Sequence, residues 1–292
     1  MHDKRWSYDA IADVYATDMG QSMPFDDVGW YRDVCLRERA SGVVGGRVLE
    51  LGCGTGRVLI ELLRAGIDVF GADRSLPMLQ RLHRDARALG LSPTLLQMDI
   101  AAPALSAART ATGSVPVGLV PIGAAPIGAA PIGAVPISVL QIGVVLMPYS
   151  LITYLRDPAQ AESAIEGLAA LLAPGGCLIL DAFVPQPVTT FADFRRDYRR
   201  PHGDSFLERY KRITANADGT NRIERRYRVL DADDVVRDEF STDETIRPYA
   251  AEEFARFGAA AGLHREALAW DYGTHLAAEG ARFASVILRK PA

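Results

Sequence analysis

Cysteine is scarce, with three residues in 292 (Cys35, Cys53 and Cys177) and no CxxC pair among them. That excludes a disulfide framework and a cysteine-based zinc site, and no metal is expected. An excess of positive charge is also missing. Lys and Arg total 32 against 36 Asp and Glu, a net charge of −4. Partners of nucleic acid usually carry a strong basic surplus, so DNA or RNA is not an expected partner. The first ten residues, MHDKRWSYDA, have no apolar stretch behind their charges, so they do not read as a secretory signal and a cytoplasmic location is expected. The most local absence is of charge itself. From Thr110 to Leu155 there is no charged residue in 46 positions.

That charge-free stretch contains a repeat. Pro116, Pro121, Pro126, Pro131 and Pro136 recur every five residues, each followed by Val or Ile. It is long and apolar enough to cross a bilayer, but a proline at that interval removes a helical hydrogen bond and adds a clash in nearly every turn. Hydrocarbon leaves no partner for so many freed backbone groups, so a membrane span is excluded. Residues 110–141 read as an expanded Pro/Gly/Ile insertion, extended or turn-rich, without a catalytic role.

The remaining chain has the material for a large core, since 49% of all residues are hydrophobic. Residues 6–18 and 26–40 space their apolar positions as amphipathic helices do. Arg47–Leu51, Ile67–Ala72 and Thr94–Met98 read as strands, separated by helices at Arg57–Ala65 and from a Ser75 cap to about Leu89. This alternation implies parallel strands with right-handed crossovers, hence a doubly wound α/β sheet. The pattern resumes with a strand at Ile142–Met147, a helix at Pro158–Leu172 and a strand at Cys177–Phe183. A helix at Ala251–Ala261 and strands near Arg265–Trp270 and Phe283–Leu288 follow, for about seven strands in all.

Between Phe206 and Tyr249 the period falls to two, with Ile223, Arg225, Tyr227 and Val229 on one parity and an Asp218-Gly219 turn signal. A small antiparallel sheet inserted ahead of the last α/β elements is expected. Its charge is lopsided: eleven basic and five acidic residues from Arg195 to Arg228, then seven acidic and one basic from Asp231 to Glu244. Two readings stay open, cross-strand pairing on a solvated sheet or a cationic lid over an anionic substrate.

The chemistry is concentrated in Val48-Leu-Glu-Leu-Gly-Cys-Gly-Thr-Gly-Arg57. A strand ends at the acidic Glu50 and turns through Gly52, Gly54 and Gly56, which let the backbone turn tightly and approach a ligand. A dinucleotide fold wants G-x-G-x-x-G with a diphosphate at the helix start; here the third glycine comes one position early. Glu50 would also set a carboxylate near the diphosphate. That is wrong for NAD and right for a cationic ligand bearing an amino group. Asp73, closing the second strand, can accept both hydroxyls of a ribose. Asp99, closing the third, can receive an adenine amino group. The three acids stand at successive strand ends.

These residues resemble the motifs of class I S-adenosylmethionine-dependent methyltransferases: E-x-G-x-G-x-G, the ribose acid and the adenine-side Asp. Ala173-Pro-Gly-Gly-Cys177 resembles the turn before that family's fifth strand, and the resemblance covers nearly the whole chain. The charged insertion is similar to the lid of small-molecule members, notably nucleotide-sugar N-methyltransferases. The resemblance implies a Rossmann-like domain from 46–190 and 246–292, an N-terminal helical cap at 1–45 and an antiparallel β lid at 191–245. It implies S-adenosyl-L-methionine as cofactor, with Tyr15 and Tyr31 closing over its methionine end, Met98 and Asp99 flanking adenine, and Leu146 and Met147 lining the site.

Two departures stand out. The fourth strand, Ile142-Gly-Val-Val145, lacks the usual opening Asp, and Tyr154 occupies the region where many relatives place a His. Tyr154 is then an orienting hydrogen-bond partner rather than a strong base, given an ordinary pKa of about 10. The five histidines offer no motif-based replacement. Methyl transfer to N or O of a small molecule is expected, by a chain free of the membrane and open to homodimer formation. Two alternatives stand beside it: an NAD(P)-dependent oxidoreductase, and a non-catalytic binder of an adenosyl ligand. The basic 195–228 segment leaves an RNA substrate as a further one.

Overall fold

The computed structural model describes residues 7–19, 24–42, 46–101 and 142–292. The Pro/Gly/Ile repeat at 110–141 lies outside these residues.

The glycine-punctuated alternation of apolar runs builds a seven-stranded sheet. Its strands are β1 (Arg47–Leu51), β2 (Val69–Asp73), β3 (Thr94–Gln97), β4 (Ile142–Met147), β5 (Leu172–Phe183), β10 (His264–Trp270) and β11 (Phe283–Arg289), in spatial order β10-β11-β5-β4-β1-β2-β3. β3, β2, β1, β4 and β5 run parallel, β11 runs against them, and β10, antiparallel to β11, points the same way as the five. The order reverses between β1 and β4, and the crevice at that switch is where an open α/β sheet receives its ligand. β4 is buried along its whole length, as a central parallel strand covered on both faces must be.

Helices cover both faces: α2 (Asp27–Ala40), α3 (Leu59–Arg64), α4 (Leu76–Ala88), α5 (Pro158–Leu171) and α6 (Ala251–Ala260), preceded by the single turn α1 (Tyr15–Met19). Side-chain caps start them as the sequence suggests. Asp26 accepts from Gly29 N at 2.8 Å, and Ser75 accepts from Met78 N at 3.3 Å. α5 and α6 enclose one core with Leu49, Leu51, Met147, Leu178 and Leu180; α2, α3 and α4 enclose the other with Val48, Leu59, Leu82 and Ile179.

β5 begins five positions earlier than its apolar run predicts. Leu172 already pairs with Ile142, the register then slips, and pairing resumes at Val144 and Cys177. A β-carbon on Gly176 would stand 2.9 Å from the Ala173 and Gly143 carbonyl oxygens, so the Pro-Gly-Gly segment is a bulge within the strand.

The second sheet is antiparallel, β6 (Phe191–His202), β7 (Ser205–Ala215), β8 (Asn221–Leu230) and β9 (Val236–Ile246) in simple sequential order. Cross-strand pairing accounts for most of its charge. Arg212 forks onto the opposed Glu224, Arg222 reaches Asp243 at 2.6 Å, and Arg209 reaches Asp197 at 2.7 Å. Exposed pairs of this kind contribute about 0–1 kcal/mol each, so they fix register more than stability. The sheet docks on the N-terminal segment through Asp18, only 4% exposed, which receives Arg209 at 2.6 Å and Tyr227 at 3.3 Å. Ile11, Val14, Met78, Leu207 and Tyr227 form an apolar seam beside it.

Candidate functional site

At the carboxyl end of β1 the chain passes through Gly52, Gly54 and Gly56 with φ of +64°, +52° and +90°. Those angles suit glycine and strain any other residue. Gly56 is fixed by packing as well, because a β-carbon there would lie 2.1 Å from Leu82 Cδ1. Gly56→Ala is expected to destabilise the fold by about 2–4 kcal/mol, strain and overpacking together. A urea melt will read it, and a shift below about 1 kcal/mol contradicts the assigned packing.

Asp73, at the end of β2, ties this loop to the neighbouring strand. Its Oδ2 accepts from Gly54 N and its Oδ1 from Ser75 N, both at 2.8 Å. Burial raises its pKa, and these N–H groups oppose the rise. Glu50, one residue before the end of β1, is 2% exposed. Its Oε2 is enclosed without a hydrogen-bond partner. Burial pushes its pKa up to about 8, with Arg57 lowering it and Asp73 raising it. Arg57 does not neutralise Glu50, because it is engaged by Asp27 through bonds of 2.7 and 2.6 Å. The glycine loop thus has an unanswered buried carboxylate at its root, which calls for a cationic donor.

An aromatic wall runs from the loop toward the antiparallel sheet. A β-carbon on Gly54 would sit 3.5 Å from Tyr15 Cε1, so this ring rests on the glycine. Tyr15 meets Tyr8 edge to face at 5.9 Å, and Tyr8 meets Tyr154 at 6.1 Å. The Tyr8 and Tyr154 hydroxyls share a hydrogen bond of 2.5 Å. Burial raises the pKa of all three phenols.

The turn after β4 forms the opposite rim. Tyr149 and Ser150 both hold positive φ, +55° and +58°, although neither is glycine. Asp181 on β5, fully buried, imposes this conformation. It accepts Ser150 N at 2.6 Å together with the Tyr31 and Tyr272 hydroxyls, each at 2.7 Å. Strain of this kind costs about 1–3 kcal/mol per residue and persists only where surroundings enforce it.

The residues expected from sequence fall into three groups. Glu50, Gly52, Gly54, Gly56, Asp73 and Tyr15 converge on the loop. Met98 and Asp99 stand at the next strand end, Met98 bonded through its N–H to the Asp73 carbonyl at 2.9 Å and Asp99 facing Arg74 at 3.4 Å. Tyr31 and Met147 are both 0% exposed, Tyr31 bonded to Asp181 and Met147 packed in the core. Asp181, Tyr8 and Tyr149 are additions that no motif in the sequence marks. Among the described residues, no group of three His, Cys, Asp or Glu is arranged to hold a metal, and no helix is long and apolar enough to cross a membrane.

Known proteins resemble this chain over part of its sequence and in its fold. A family model described as a methyltransferase domain matches residues 48–114. A carboxy-S-adenosyl-L-methionine synthase from Nitratiruptor is 33% identical over 104 residues, 34% of this chain and 42% of that protein. A ubiquinone biosynthesis O-methyltransferase from Pectobacterium carotovorum is 29% identical over 103 residues, 35% of this chain and 43% of that one. The alignments thus span less than half the length of these curated relatives. Among solved structures, an S-adenosylmethionine-dependent methyltransferase from Clostridium acetobutylicum superposes with a TM-score of 0.69 at 14% identity, covering 98% of this chain and 99% of the other. A sugar N-methyltransferase from Streptoalloteichus gives 0.65 at 20% identity, covering 96% and 92%. At these identities the likeness is one of fold.

Proposed function

We propose that this chain, a methyltransferase domain on the fold of S-adenosylmethionine-dependent methyltransferases, transfers a methyl group to nitrogen or oxygen of a small-molecule acceptor. The observation that carries the reading is the buried, unanswered Glu50 carboxylate at the root of the glycine loop. Once ionised, it would repel a diphosphate and hold an ammonium group.

The residues present fit S-adenosylmethionine. Glu50 would take its amino group, Asp73 its ribose hydroxyls, and Met98 and Asp99 its adenine, while Tyr15 covers Gly54. When bound, this cofactor supplies a methyl group already activated on a sulfonium sulfur. The protein's share is placement, and orienting two reactants can supply roughly 7–11 kcal/mol. Tyr8 and Tyr154 stand between the loop and the antiparallel sheet, where their hydroxyls can orient an acceptor. Burial holds both phenols above their ordinary pKa, so they stay protonated at neutral pH and do not act as bases. An amine, which reacts in its neutral form and needs no strong base to become nucleophilic, suits such a site better than an alcohol.

Incubation with S-adenosylmethionine and a panel of small amines and phenols should release S-adenosylhomocysteine with a methylated product. Failure of the protein to bind S-adenosylmethionine in calorimetry would sink the reading, and a stronger thermal shift with NADH would replace it by the oxidoreductase. Tyr154→Phe is expected to lower turnover about tenfold, the worth of one orienting hydrogen bond. Cofactor affinity should stay within about twofold in that variant. A large loss of cofactor affinity contradicts the placement of Tyr154 at the acceptor end.

A further inference from the structure

Arg225 of the antiparallel sheet stands outside the cross-strand ion pairing among the described residues. Arg225 lies on β8 at the same parity as Ile223, Tyr227 and Val229, the parity whose Tyr227 is buried against the N-terminal segment. Arg225 is half-buried and makes no hydrogen bond and no ion pair among the described residues, whereas Arg209, Arg212 and Arg222 each hold a carboxylate and Arg195 and Arg226 lie over the Phe191 and Phe194 rings. The groups whose charge it feels most are Tyr8, Tyr227 and Tyr154, with Arg209 beyond them. Tyr8 and Tyr154 are the far end of the aromatic wall that starts on Gly54.

The two residues directly opposite Arg225 do not answer its charge, and the carboxylate on this face of β9 is the buried Glu244, diagonal to it opposite Ile223. Across β7 it opposes Lys211, which is engaged by Asp197 at 3.3 Å. Across β9 it opposes Thr242, 4% exposed, whose Oγ1 is enclosed without a hydrogen-bond partner. An enclosed, unmet hydroxyl is costly in a folded chain by itself, and the half-buried guanidinium opposite it is held by no carboxylate among the described residues. Together they offer a planar two-pronged donor and a third donor beside it, the chemistry that receives an oxyanion.

We propose that Arg225, with Thr242, is the anchor for a singly charged oxyanion on the methyl acceptor, a carboxylate or a phosphodiester. This rests on the methyltransferase reading for the word acceptor, and on the sheet alone for the anion site. A single unpaired guanidinium matches a single negative charge. The adjacent Lys211 and Arg209 are already neutralised by Asp197 and Asp18, so a doubly charged group would go half answered. The acceptor then arrives with its anion held by the sheet and its nucleophile toward Tyr154 and the glycine loop.

The test uses the full chain loaded with S-adenosylhomocysteine and titrates it with benzoate, dimethyl phosphate, benzamide and inorganic pyrophosphate. Benzoate or dimethyl phosphate should bind, the better of the two naming the oxyanion, and benzamide should bind at least about tenfold more weakly. Arg225→Met should weaken the anion at least about tenfold, Arg225→Lys should recover part of it, and S-adenosylhomocysteine affinity should change less than about twofold. Arg225→Met without ligand should melt at or above the parent, because a structural ion pair would lose stability and an unanswered cation gains it. Anion affinity unchanged in Arg225→Met, a lower melting temperature for that variant, or pyrophosphate about tenfold tighter than both monoanions would overturn the proposal. Loss of S-adenosylhomocysteine binding in the parent would count against the methyltransferase reading alone, since the anion titration can be run on the ligand-free chain.

Discussion

Glu50→Gln is expected to stabilise the ligand-free protein at pH 8 and at the same time to weaken S-adenosylmethionine binding about 100-fold. Both effects come from one buried carboxylate whose pKa stands at about 8 instead of 4.5, chiefly through burial. Between those values the folded chain keeps a proton that the unfolded chain has released. Stability of the parent therefore falls by about 1.4 kcal/mol per pH unit as pH rises from the unfolded value through the folded one. Below that window the contribution is fully present; above about 8 it is gone. Glutamine has the same shape and no proton to lose, so the variant should exceed the parent by roughly 3–5 kcal/mol at pH 8 and converge on it near pH 4. Binding runs the other way, because an ammonium group can be held only by the ionised carboxylate, and a charged hydrogen bond of this kind is worth about 1.5–3 kcal/mol. Parent affinity should rise with pH up to about 8, and the variant should show no such slope. Calorimetric melts and titrations across this range separate the outcomes. A variant that melts below the parent at pH 8, or that binds equally well, removes Glu50 from the site.

The part of the site formed by one short stretch of chain was legible in the sequence. A strand that ends in an acid, then glycines at alternate positions, can be read because positive φ leaves a compositional trace, and the structure puts that trace at +64°, +52° and +90°. Asp73 was legible for the same reason, as the last residue of the next apolar run. The tertiary part was not. Tyr8 and Tyr154 are 146 positions apart and Tyr31 and Asp181 are 150 apart, so no local pattern connects them. The positive φ of Tyr149 and Ser150 leaves no trace at all, since Asp181 imposes it on residues that would not choose it. Likewise the glycines before Cys177 resembled a turn ahead of the strand, where the structure uses them to let two backbones approach within a continuous strand.

The charged sheet shows a third kind of legibility. Its composition allowed either mutual pairing or an anion-binding face, and register decides between them residue by residue. Arg212 and Arg225 are both arginines on neighbouring strands. The first meets Glu224 directly and the second meets Lys211 and Thr242. The signal for the second was present in the alternation that puts Arg225 with Ile223 and Tyr227. Its importance emerges only when Arg209, Lys211, Arg212 and Arg222 are each seen to have found a carboxylate.

Asp181→Ala is expected to cost about 3–5 kcal/mol and to lower turnover together with stability. Asp181 is 0% exposed and is the common acceptor for the Tyr31 hydroxyl, the Tyr272 hydroxyl and Ser150 N. Its removal leaves three donors in the interior, each costing about 1–3 kcal/mol when unmet, with partial relief from relaxation or an entering water. It also releases the strained Tyr149-Ser150 turn, the rim of the site whose Tyr149 ring faces Arg57 at 5.6 Å. A general loss of packing would be made worse by further truncation nearby. The network makes the opposite forecast: adding Tyr31→Phe and Tyr272→Phe to Asp181→Ala deletes two of the stranded donors and should return about 1–2 kcal/mol. In the parent background the same two changes should each cost about 1 kcal/mol, because there they leave acceptor capacity unfilled. Urea melts of these variants decide the matter. If the phenylalanine changes deepen the Asp181→Ala defect instead of offsetting it, Asp181 is not the shared acceptor that holds the turn.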